Sequence, residues 1–115
     1  SQRLARLVGN SQALEVCLTG DMLSAKAALE IGLVGKVVAD SDLLRQAQGL
    51  AKKIASKSRP AIVAIVQAIR EGTKLALPEA LALEAKLFGE ISQTEDMKEG
   101  MRAFLEKRRP NFKDR

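Results

Sequence analysis

Two residues near the end of the chain, Phe104 and Lys107, combine a flat apolar ring with an ammonium group three positions apart. On one helix face that spacing brings them together, and the pair could take a nucleotide base and its phosphates. The same pair is also what a core phenylalanine and a lysine opposing a helix dipole would look like, and both readings stand at this point. They sit in the most basic part of the sequence. Residues 102 to 115 hold six basic groups against two acidic ones, so most of the net charge of +5 is a property of this end. Such a cluster can meet phosphates, nucleic acid or an acidic partner, or be a solvated helix end.

Other chemistry is scarce. The sequence has no histidine, tryptophan or tyrosine, which removes the commonest general base and metal ligand. The carboxylates are scattered over helix starts and polar faces, with no apolar surroundings to split a pair into acid and base. The serines lie in no G-x-S-x-G elbow, and neither a glycine-rich phosphate loop nor metal-ligand spacing occurs. Cys17, between Val16 and Leu18, reads as a small buried hydrophobe with no partner for a bridge. The sequence by itself therefore predicts no catalytic residue, no metal and no tightly bound cofactor.

The elements that would position Phe104 and Lys107 are short helices. Apolar residues make up 46% but aromatics only 3%, so any core must be built from Leu, Ile, Val and Ala. Leu4, Leu7 and Val8 form an apolar edge ended by Gly9, with nothing to cap its front, as if the chain began inside or just before an element. Asn10 and Ser11 are expected to cap the next helix and Gly20 to stop it. Ser24 should cap a helix from Ala25 to Ile31, closed by Gly32 and Leu33. Residues 33 to 38 form a β-branched run that predicts one short strand, whose pairing partner would lie outside this sequence.

Asp40, Ser41 and Asp42 then open a helix with Leu43, Ala47, Leu50 and Ile54 at helical spacing. Pro60 suits the first turn of another, striped by Ile62, Ile65, Val66 and Ile69. The helix after Pro78 carries Ala80, Leu81, Leu83, Leu87, Phe88 and Ile91, enough to be covered on more than one side, one of which another subunit could supply. Thr94 caps the last helix, Met97, Met101, Phe104 and Leu105 form its expected buried stripe, and Pro110 ends it. No run approaches the roughly twenty apolar residues of a membrane span, and Ser1-Gln2-Arg3-Leu4 lacks a signal-peptide pattern. The expectation is a soluble intracellular protein, cytoplasmic or, in a eukaryote, of the mitochondrial matrix, with no membrane partner.

The spelling of the chain adds a resemblance. Leu18-Thr19-Gly20-Asp21, then Leu23-Ser24-Ala25 and Ala28-Leu29-Glu30-Ile31-Gly32-Leu33-Val34, is similar to a segment of the enoyl-CoA hydratase/isomerase (crotonase) family. Leu83-Glu84-Ala85-Lys86-Leu87-Phe88 and the stretch from Thr94 to Arg108, with Pro110 and Phe112, resemble that family's closing helices. Ala76 departs from the serine or threonine cap common there, and Pro78 follows it in the first turn, which a proline tolerates.

The resemblance implies a mainly α chain, the C-terminal helical part of a ClpP/crotonase-like fold with one short strand. Residues 1 to 38 would end the core, and 39 to 115 would form a helical lid and oligomerisation part. The substrate implied is an acyl-CoA thioester, with coenzyme A present as part of it, and the reaction hydration of a 2-enoyl-CoA in fatty acid oxidation or isomerisation. The partner implied is the protein itself as a homotrimer or hexamer. Carried over by position, Phe88, Phe104 and Lys107 would contact the CoA part. The family's oxyanion donors and glutamates would lie upstream, leaving this segment inert alone. Two further readings are a trimer-forming tail that has lost chemistry, and a basic helical module binding RNA. Sequence-specific nucleic-acid binding is disfavoured because only Phe104 and Phe112 lie near the charge.

Overall fold

The computed structural model describes residues 1 to 115 and contains seven α-helices: α1 (Gln2–Val8), α2 (Asn10–Thr19), α3 (Ala25–Glu30), α4 (Asp40–Ala55), α5 (Arg59–Gly72), α6 (Leu77–Ser92) and α7 (Glu95–Leu105). They fall into two compact units, Ser1–Gln46 and Ala47–Arg115, with α4 running from the first into the second.

In the first unit, α1 and α2 pack on one another around the buried Ala13. The residue between them is Gly9, at φ 81° and ψ 164°, a backbone that L side chains disfavour. Its carbonyl accepts from the Ala13 N–H at 3.1 Å, so Gly9 occupies the cap position expected of Asn10 or Ser11, which lie within the first turn. Gly20 ends α2 in the left-handed conformation, as expected. Cys17 is exposed rather than buried, because α2 turns only its Ala13 face inward.

Ser24 caps α3, its Oγ accepting from the Ala27 N–H at 3.1 Å. The helix closes with Gly32 at φ 75°: the Gly32 N–H donates to Leu29 O at 3.1 Å and the Leu33 N–H to Ala28 O at 2.9 Å. This is the paired reverse closure of a Schellman motif. It also explains why the expected strand is absent. The N–H groups of Leu33 and Val34 both turn back to Ala28 O, and residues 33 to 38 form a bend followed by irregular backbone with no ladder partner.

In the second unit, α5 and α6 are joined by four residues and pack side by side, with Ala64 and Leu87 buried on their facing sides. Pro60 falls in the first turn of α5 and Pro78 in that of α6, where a missing N–H costs nothing. Ala76 is the N-cap of α6 without a side-chain bond. Thr94 caps α7, accepting from the Met97 N–H at 3.1 Å.

The expected apolar stripes are uncovered. The buried hydrophobic residues are Ala13, Ala28, Ala64, Leu87 and Ala103, four of them alanines. Leu43, Leu50 and Ile54 of α4, Ile65, Val66 and Ile69 of α5, and Leu81 of α6 all face solvent. On α7 the expected stripe is not the buried one: Met101, Phe104 and Leu105 are exposed, Met97 is half-buried, and Asp96 and Ala103 are the buried residues. The physical cause is that each helix touches its neighbour through small side chains, and nothing within these residues covers the larger ones. Apolar surface of this extent is uncommon on a self-contained monomer. None of the helices is long and apolar enough to cross a membrane.

Candidate functional site

All chemistry of note collects at the two ends of α7. Its first turn carries Asp96, 2% exposed, whose carboxylate receives the returning chain end. The Lys113 N–H donates to Asp96 Oδ1 at 2.7 Å and the Asp114 N–H to Oδ2 at 3.1 Å, while the Asp96 N–H donates to Arg115 O at 3.0 Å. Burial pushes this carboxyl up, but those two N–H groups, the neighbouring Ser58 hydroxyl and the Arg115 charge outweigh it and hold it below the ordinary aspartate value. The Ser58 hydroxyl is itself buried and, although it faces this carboxylate, makes no hydrogen bond of ordinary geometry. Asp114 in turn accepts from the Arg59 N–H at 3.0 Å, so the chain end caps α5, a role that the Ser58 side chain leaves open.

At the other end α7 stops at Leu105, and the chain reverses through Glu106 and Lys107. Lys107 has φ 53°, the left-handed region. Its N–H donates to Phe104 O at 3.2 Å, and the Arg108 N–H donates to Ala103 O at 3.0 Å. The closure is the one seen at Gly32, with lysine in the glycine position. Phe104 and Lys107 therefore do not share a helix face; they are joined through one reversed turn. The turn also supersedes Pro110 as the stop.

Arg108 is the anchor of this turn. Its guanidinium forks onto Glu99, Nη1 to Oε1 at 2.6 Å and Nη2 to Oε2 at 3.0 Å, and its Nε reaches Glu106 Oε2 at 2.5 Å. The Asn111 N–H adds a bond to Glu99 Oε1 at 2.8 Å. The Arg108 fork, helped by that N–H, holds the Glu99 carboxyl down to about 2 and raises the Arg108 guanidinium further still. Arg115 pairs with Glu95 at 3.0 Å. Two of the six members of the basic cluster, Arg108 and Arg115, are thus paired within the chain, and four remain unpaired.

The expected contact residues are left free. Within this chain Phe104 is 83% exposed and Phe88 62%. Lys107 is exposed, with no ion pair or side-chain hydrogen bond. Phe104 lines an apolar groove of about 440 Å³ with Ala61, Ile91, Met97, Met101 and Phe112. Phe88 stands apart on α6 and does not line it. Sequence spacing missed Glu99, Arg108 and Asp96, whose partners lie 9 to 18 residues away across a chain reversal. The signal available was the alternation of charge around a helix end.

A site of this kind can grip and orient, but it brings no acid/base pair to a bond. The sequence model of the family described as enoyl-CoA hydratase/isomerase matches residues 1–115. A probable enoyl-CoA hydratase of Rhizobium meliloti is 47% identical over 115 residues, covering 100% of this chain and 45% of that protein. A mitochondrial enoyl-CoA hydratase of Pongo abelii is 44% identical over 114 residues, covering 99% of this chain and 39% of that protein. Among solved structures, an enoyl-CoA hydratase from Bacillus anthracis superposes with a TM-score of 0.95 at 38% identity, over 99% of this chain and 44% of that one. One from Geobacillus kaustophilus gives 0.94 at 40% identity, over 99% and 43%. The chain spans less than half the length of these relatives, and its helices form the helical part of a crotonase fold. On this agreement of sequence and structure, the chain belongs to the enoyl-CoA hydratase/isomerase family.

Proposed function

We propose that the full-length protein containing this chain hydrates a 2-enoyl-CoA thioester, and that these residues supply subunit packing and part of the grip on the CoA moiety. Adding water across the conjugated double bond requires donors for the developing enolate and groups that handle the water and its proton. This chain has carboxylates, but Asp96 and Glu99 are committed to the chain end and to Arg108. We place the reactive groups in the rest of the protein, which makes up more than half of the length of its relatives. Phe104 and Lys107, with Phe88 on α6, are the residues here that would contact CoA, which comes and goes as part of the substrate.

The observation that carries this reading is the single reversed turn joining an exposed aromatic ring to an ammonium group without a partner. An adenine can lie on the ring, and a phosphate can take the ammonium. The uncovered faces of α4, α5 and α6 are what packing against other protein would cover, and we take the assembly to be a trimer or paired trimers, in a cytoplasm or mitochondrial matrix where fatty acyl-CoA is degraded. The test is crotonyl-CoA hydration by the full-length protein, followed by loss of the enoyl-thioester absorbance. Lys107→Glu should raise KM by roughly tenfold or more, the loss of a charge-assisted contact, while the protein remains folded. An unchanged KM would remove Lys107 from the CoA site, and no hydration at all would remove the reaction.

A further inference from the structure

We infer that Glu99 and Arg108 are positioning residues for the CoA contact, holding the left-handed turn that presents Lys107. This rests on the proposed role of Lys107 and extends it to groups that touch no ligand. The chain builds the same closure twice. At the end of α3 the left-handed place is taken by Gly32, φ 75°, which pays no steric penalty; at the end of α7 it is taken by Lys107, φ 53°. A side chain that would be more comfortable as glycine persists only where its surroundings over-determine the backbone, and such residues gather at functional sites.

Those surroundings are the charged groups on either side of the turn. Arg108, the next residue, is fixed by the fork to Glu99 on α7 and by Glu106 on the near side of the turn. Glu99 also takes the Asn111 N–H, so one carboxylate ties both the arm entering the extended end and the guanidinium beside Lys107. Its side chain is 19% exposed, which protects the fork from solvent. Glu106 and Arg108, which flank Lys107, are thereby engaged with each other and with Glu99, while the Lys107 ammonium takes no internal partner. A network that merely closed the helix would have no need of a lysine at its strained position.

The experiment uses the full-length enzyme with two substrates, crotonyl-CoA and crotonyl-pantetheine, which keeps the reacting thioester and lacks the nucleotide. The readout is the ratio of kcat/KM for the two, which isolates the grip on the nucleotide from the chemistry and from the amount of folded enzyme. Lys107→Ala should lower that ratio by about tenfold. Glu99→Gln should lower it several-fold, Arg108→Lys, which keeps charge but loses the fork, likewise, and neither should lower it further in a Lys107→Ala background. If Lys107→Ala leaves the ratio unchanged, the role of Lys107 in CoA binding fails, and this inference with it. If Lys107→Ala lowers the ratio but Glu99→Gln and Arg108→Lys do not, the clamp is structural only and the inference alone is overturned.

Discussion

Replacing Lys107 by glycine should make the protein more stable and bind CoA esters less well. A non-glycine residue in the left-handed region costs about 1–2 kcal/mol, and Lys107 at φ 53° pays that cost in the folded state. Glycine removes it but widens the unfolded ensemble by about 0.5–1 kcal/mol, so the net gain lies between about 0 and 1.5 kcal/mol, about 0.75 kcal/mol at mid-range. No side-chain bond is lost, because Lys107 makes none within the chain. For a domain of roughly 150–250 residues that gain is a rise in Tm of about 1–4 °C. The control is Lys107→Ala, which deletes the ammonium and keeps the steric penalty, so its Tm should stay near that of the parent. Thermal denaturation of the three full-length proteins at neutral pH, with KM for crotonyl-CoA measured on each, separates the two effects. Both variants should show the same higher KM, and only the glycine variant the higher Tm. A glycine variant no more stable than the alanine one would refute the claim that the turn holds Lys107 under strain.

Other expectations follow from the same geometry. Glu99 is held at about 2, and Asp96 below its ordinary value, so both are charged in the fold at pH values where the unfolded chain begins to take up protons, below about 4.5. Their stabilisation is complete above that value and is lost as pH falls towards 2; the protection factors of the Asn111, Lys113 and Asp114 amides, taken against unfolded-chain exchange at each pH, should fall across this window, and pH-independent protection would contradict it. Thr94→Ala removes the Oγ1 acceptor of the Met97 N–H and should cost about 1 kcal/mol by urea denaturation, a loss that Thr94→Ser should largely recover. Gly100→Ala should stabilise by about 0.5–1 kcal/mol, since the new Cβ would meet the Phe112 ring at 3.6 Å, an ordinary contact, within a helix; a lower denaturation midpoint would show that the ring cannot tolerate it.

The sequence by itself determined the helices and most of their ends. Ser24, Thr94, Gly20 and Gly32 act within three or four residues of their own position, and helical periodicity is equally local, so neighbouring residues suffice to read them. The spelling from Leu18 to Val34 and from Thr94 to Arg108 likewise disclosed the family. Tertiary structure decided what those helices do with their faces. Periodicity shows that Met101, Phe104 and Leu105 share an apolar side, but whether that side is covered depends on a surface beyond α7, and here Ala103 makes the contact instead. The β-branched run after Gly32 looked like a strand, yet a ladder needs a second chain segment, and the cap of α3 claimed its first N–H groups. The left-handed Lys107 was hidden because reversal signals are sought in glycine or asparagine. The fork from Arg108 to Glu99 and the docking of residues 113–115 on Asp96 join positions that no helical or strand spacing relates. Those bonds exist only once the chain has turned back, and the Arg108–Glu99 fork among them is what sets the lysine in place.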